Sequence, residues 1–151
     1  MSFLSKLLGR QSPRLPSIEH LVFGRMDATL EPAPGLYFWE TPGSVVTEFG
    51  EVSVFCDAPV SGPSDLQVAQ FKQVCVDFLK LRAAARSLLL DRLSDFRAED
   101  QIDKIRWTSI LLATDGAKTS HWELTFEEAD QLLLLNVNFQ DGVPAFVTVD
   151  T

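Results

Sequence analysis

The sequence predicts an α+β fold: antiparallel β-meanders flanking a long central amphipathic helix, or a helix pair, packed on one sheet face. Three observations carry this. Residues 64–98 hold apolar side chains at three- and four-residue steps with no Gly or Pro between them. Four extended runs with short connections follow that stretch, and short runs broken by Gly and Pro precede it. A chain of 151 residues, 46% hydrophobic and 23% charged, suits a single domain that needs neither disulfides nor a structural metal. The expected division is a short amphipathic or flexible segment over 1–17 and one α+β domain over 18–151.

Taken in order, the N-terminal MSFLSKLLGRQSPR sets Phe3, Leu4, Leu7 and Leu8 beside basic residues, too short an apolar face to bind a membrane strongly. It lacks the apolar core of a signal peptide, and no run approaches the ~20 apolar residues of a membrane span. Cys56 and Cys75 have no metal spacing and read as reduced thiols. A cytoplasmic protein is expected.

IEHLVF leads into Gly24, after which Met26, Ala28 and Leu30 alternate with other residues. EPAPG breaks the chain, LYFWE resumes it, Pro42-Gly43 turns it, and VVTEF and EVSVFC meet at Gly50. SGP then ends the strand, and Ser64 stands three residues before Gln67, the spacing of a capping box. Phe71, Val74, Cys75, Phe78, Leu81, Ala85, Leu88 and Leu89 make one stripe, as a helix face buried in a core requires. The final runs are IRWTSILLA, HWELTF, LLLLNVNF and VPAFVTVD. Asp115-Gly116 and Asp141-Gly142 mark two of their connections and EEADQ the third, which predicts a four-stranded meander.

Alternation assigns faces. In SHWELTF, Trp122, Leu124 and Phe126 share one side of a strand, and His121, Glu123 and Thr125 the other. Leu133, Leu135, Val137 and Phe139 match the first set, so these residues should meet the helix. LYFWE is ambiguous, with Leu36 and Phe38 on one side and Tyr37 and Trp39 on the other. Either the strand is buried twice over, or one pair is exposed as an aromatic anchor.

The net charge of −8 is unevenly spread. Residues 26–64 carry Asp27, Glu31, Glu40, Glu48, Glu51 and Asp57 with no Lys or Arg, and residues 108–151 hold Lys118 as their only Lys or Arg. Such a field repels nucleic acid and favours a basic protein partner. It also keeps a protein in solution, which is the blander reading.

No phosphate loop, nucleophile elbow, zinc-finger spacing or basic–aromatic patch is present. His121 and Glu123 would lie side by side on the outer face of their strand, with the chemistry for a metal or a proton. A metal site would need further ligands, and His20 is distant in sequence. No cofactor, metal or catalytic residue is therefore assigned.

FGRM, LYFWE and FGEVSV, then PSDLQ opening the helix, then WELTF and VNFQDGVP, form a pattern over about residues 18–150. It resembles small bacterial families of domains of unknown function, some of them proposed as toxin-immunity proteins. The resemblance is one of element order and loose motif, and it implies no catalytic residue. The expectation is a non-enzymatic acidic interaction domain of bacterial type, in the immunity case one that neutralises a basic toxin. Its partner surface would draw on Tyr37, Trp39, Glu40, Glu48, Glu51, His121 and Glu123. Two alternatives stay open. One is a small metal-dependent hydrolase using His121, Glu123 and neighbours such as Asp115. The other is a structural subunit that forms a homodimer through a sheet edge or the LYFWE aromatics.

Overall fold

The computed structural model describes residues 14–117 and 119–151. Most of the N-terminal segment lies outside the described residues, and its amphipathic reading with it. Among the described residues nine strands form one sheet: β1 (Ser17–His20), β2 (Gly24–Ala33), β3 (Leu36–Glu40), β4 (Val45–Thr47), β5 (Gly50–Ala58), β6 (Arg106–Leu111), β7 (Trp122–Glu128), β8 (Leu133–Gln140) and β9 (Val143–Asp150). The order across it is β1-β2-β3-β5-β6-β7-β8-β9, with the short β4 beside β5. Every pairing is antiparallel except β5–β6. The two sequence flanks are thus meanders fused edge to edge through one parallel pair, with the helix as the crossover that a parallel pair requires.

That helix, α1 (Asp65–Asp95), is a single unbroken element of 31 residues, about 46 Å long. Ser64 caps it: its hydroxyl accepts from Gln67 N–H at 3.2 Å, and the Gln67 side-chain oxygen accepts from Ser64 N–H at 3.0 Å. The buried face is Gln67, Gln70, Phe71, Val74, Phe78, Ala85, Leu89 and Leu93, which tracks the apolar stripe. The helix crosses the sheet obliquely. Phe71 meets Phe23 edge-on near the β1–β2 turn, and Phe78 sits among Phe49, Trp107 and Phe126. At the far end Arg92 Nε donates to the Val147 carbonyl on β9 at 3.0 Å.

Two glutamines fasten the first helical turns to the sheet. Gln67 Nε2 donates to the Asp57 and Ala113 carbonyls at 2.9 and 3.1 Å, and Gln70 Oε1 accepts from Ala113 N–H at 2.9 Å. The loop after β6 is held so close that a Cβ on Gly116 would lie 2.5 Å from the Leu66 carbonyl carbon. Gly116 also has φ +69°, so glycine is required there twice over. At the β7–β8 turn the buried Glu128 carboxylate accepts from Asp130 N–H and Gln131 N–H, at 2.8 and 2.7 Å.

The alternation in the second meander holds. Trp122, Leu124, Phe126, Leu135, Val137 and Phe139 are buried on the helix side, and Trp122 stacks on Phe139 at 4.0 Å. No helix among the described residues is long and apolar enough to cross a membrane.

Candidate functional site: the open face of the sheet

With one helix on one side, the opposite face of the sheet has no helix or strand packed on it among the described residues. Register places one residue from each of seven strands in a continuous lateral row on that face. Asp27 pairs with Glu40, Glu40 with Phe55, Phe55 with Leu111, Leu111 with Glu123, Glu123 with Asn138 and Asn138 with Phe146. Beside it runs a row of small polar side chains, Ser53, Ser109, Thr125, Asn136 and Thr148. Successive strands lie about 4.8 Å apart, so each row is a line of touching neighbours.

An apolar patch sits at the centre of these rows. Phe38 stacks on Phe55 with centroids 5.9 Å apart, and with Leu111 and Leu134 they wall a shallow depression of about 240 Å³. Glu123 and Asn136 close its other side. Carboxylates ring the patch: Asp57 pairs with Phe38, Glu40 with Phe55, and Asp150 with Leu134. Among the described residues, the only Lys or Arg on any strand are Arg25 and Arg106. Both are engaged, Arg25 with Asp27 at 3.0 Å and Arg106 with Glu127 at 3.1 Å. The remaining arginines and lysines among the described residues from 65 onward lie on α1 or in the loop after it, across the sheet. Residues 65–105 hold seven of these bases against seven Asp and Glu, so the helix side is near electrical balance and the open face is the acidic one.

The electrostatics of Glu123 follow from its place. Burial pushes its carboxyl above the ordinary value, nearby Asp150 adds to the rise, and His121 opposes it. His121 Nε2 lies 3.8 Å from a Glu123 oxygen and 2.8 Å from Asn138 Oδ1. Asn136 accepts from the Thr125 hydroxyl and donates to Asp150, each at 2.8 Å. A connected polar network therefore stiffens the floor of the face. Asp27 is held low by hydrogen bonds from Ser17 and Arg25, with the Arg25 charge assisting.

Glu40, Glu51 and Glu123 project to the open face, and exposed His121 stands at its margin. Glu48 belongs to the β4–β5 turn and is not part of the row. The aromatic expectation needs correction. Trp39 is fully buried, its Nε1 donates to the Pro59 carbonyl at 3.0 Å, and Tyr37 packs beside it against the core. It is Phe38 that faces outward, paired with Phe55. A strand apolar on both sides gives alternation nothing to discriminate, so LYFWE could not say which pair faced the helix.

For the hydrolytic alternative, the Asp115 carboxylate is committed to its own loop. It accepts from Ala117 N–H at 2.9 Å and from the Ser120 hydroxyl at 2.8 Å, which hold it below the usual carboxylate range. No group of three or more His, Cys, Asp or Glu side chains arranged to hold a metal occurs among the described residues. Burial, assisted by Asp57, pushes the Cys56 thiol up to about 12, and burial raises Cys75 as well, so neither is poised as a thiolate nucleophile.

No protein-family model, curated protein or solved structure matches this chain.

Proposed function

We propose that this chain is a non-catalytic binding protein whose open sheet face docks a basic polypeptide. The observation that carries the reading is the lateral row from Asp27 to Phe146, in which a half-buried apolar centre is flanked by acids. Apolar anchors within a charged rim are how protein interfaces divide affinity from steering. The Phe38–Phe55 pair would supply the anchor. Glu40, Asp57 and Asp150 would supply the steering field and reject nucleic acid. Neutralising a basic toxin is one form of such an interaction, and the one that the resemblance in element order implies.

The test is capture from a lysate with the immobilised protein and with a variant carrying Glu40→Gln, Asp57→Asn and Glu123→Gln. A basic protein held by the wild type and released both by the variant and by added salt supports the reading. Retention of the same proteins by both forms would sink it.

Self-association has one observation in its favour. β9 is an eight-residue edge strand that leaves Val143 and Phe146 exposed. Light scattering across a concentration series decides that point, with a mass that rises from one chain to two as the supporting result.

A further inference from the structure

On the helix side of the sheet a separate cleft opens between α1 and the start of β7, closed at one end by Gly142 of the β8–β9 turn. It measures about 290 Å³, and Val74, Leu81 and Ala84 make much of its wall. Two deeply buried side chains line it, Gln70 and Trp122, at 5% and 2% exposure. Gln70 Nε2 and Trp122 Nε1 have no hydrogen-bond acceptor among the described residues.

The orientation of the Gln70 amide is settled by its other end. Ala113 N–H can only donate, so the atom it meets at 2.9 Å must be the amide oxygen, and the NH2 group is directed elsewhere. An indole nitrogen can only donate as well. The contrast within the same protein is informative. Trp39 Nε1 reaches the Pro59 carbonyl, Trp107 Nε1 reaches the Ser109 carbonyl, and Gln67 Nε2 reaches two carbonyls. Among the described residues, the other buried side-chain donors are satisfied, and the two that are not belong to side chains lining one cleft.

We propose that this cleft binds a small molecule with a compact apolar body and a carbonyl-type oxygen, which accepts from Gln70 Nε2 and Trp122 Nε1. At the rim Lys80 and Asp77 carry opposite charges, so the site asks for an acceptor atom rather than for a net charge. A carboxylate and a primary amide both provide it. The site is independent of the open face, because Trp122 and Glu123 point to opposite sides of β7.

The test follows the three indole N–H signals by NMR, with Trp122 assigned from Trp122→Phe. Sodium hexanoate, hexanamide and hexylamine serve as probes. A saturable downfield shift of the Trp122 signal with hexanoate, hexanamide or both, with the Trp39 and Trp107 signals stationary, is the expected result. Response to hexanoate alone assigns the carboxylate class, and response to both assigns a neutral acceptor. Gln70→Glu keeps an acceptor for Ala113 N–H but loses the donor, and should weaken binding about tenfold. Ala84→Phe, made on an exposed helix position, should fill the cleft and abolish the shift. A Trp122 signal that stays still with both oxygen-bearing probes, or that moves equally with hexylamine, overturns the proposal.

Discussion

Replacing Gln67 by Met tests how the helix is joined to the sheet. The two side chains are similar in length and helix propensity, so the change removes polar contacts with little loss of packing. Three hydrogen bonds disappear: the one accepted from Ser64 N–H and the two donated to the Asp57 and Ala113 carbonyls. Each contributes about 1 kcal/mol net, and a carbonyl left unsatisfied in the core adds a desolvation penalty of about 1–3 kcal/mol. Ser64 N–H and the Asp57 carbonyl lie closer to water and can recover part of their loss. The expected cost is about 2–4 kcal/mol. In urea denaturation the midpoint should fall with the slope m unchanged, and Tm should drop by roughly 5–15 °C. Ser64→Ala removes only the cap hydroxyl and should cost about 1 kcal/mol. Gln73→Met, at an exposed position on the same helix, should stay within about 0.5 kcal/mol. If Gln67→Met costs no more than Ser64→Ala, the bonds from helix to sheet contribute nothing and the account of the β5–β6 junction is wrong.

Gly116→Ala should destabilise by more than the ~1 kcal/mol of an ordinary left-handed residue, because its methyl group meets the Leu66–Gln67 backbone. An unchanged thermal midpoint would refute that close approach. His20 accepts from Val22 N–H and Phe23 N–H through Nδ1, and burial lowers its pKa, with Asp65 partly opposing. The unfolded chain therefore binds the proton first. Stability should fall as pH drops below the ordinary histidine value of 6.5, then level off once the folded form protonates too. His20→Asn should remove that fall, as denaturation midpoints across the range would show. Glu123 has the opposite sign: its raised pKa means the folded state favours the neutral acid. Its contribution is lost as pH rises through the folded value, so Glu123→Gln should be at least as stable as wild type at neutral pH and show no such loss. A variant less stable at neutral pH than at pH 4 relative to wild type would contradict the burial argument.

Much of the scaffold was legible because periodicity reports burial directly. The stripe from Phe71 to Leu89 and the alternation in WELTF mark faces that must avoid water, and both landed as expected. What stayed hidden depends on residues meeting across the sheet. The Glu40–Phe55 pair meets the Leu111–Glu123 pair only through the parallel β5–β6 pairing, which closes across the whole length of the helix. Nothing in the helical spacing distinguishes Gln70 from the other polar residues of the helix, and its isolated amide nitrogen depends on what Ala113 and Trp122 place around it. Gln67 was visible only as half of a capping box. Its nitrogen serves two carbonyls that no local pattern could supply.

The measurement that bears most directly on the acidic docking face is an association rate constant, taken against ionic strength with the captured partner. It should be determined for the wild type and for the Glu40→Gln, Asp57→Asn, Glu123→Gln variant. A steered encounter predicts a wild-type rate that falls steeply as salt rises, and a slower variant whose rate changes much less. Equal rates with the same salt slope in both proteins would place the encounter somewhere other than the open face of the sheet.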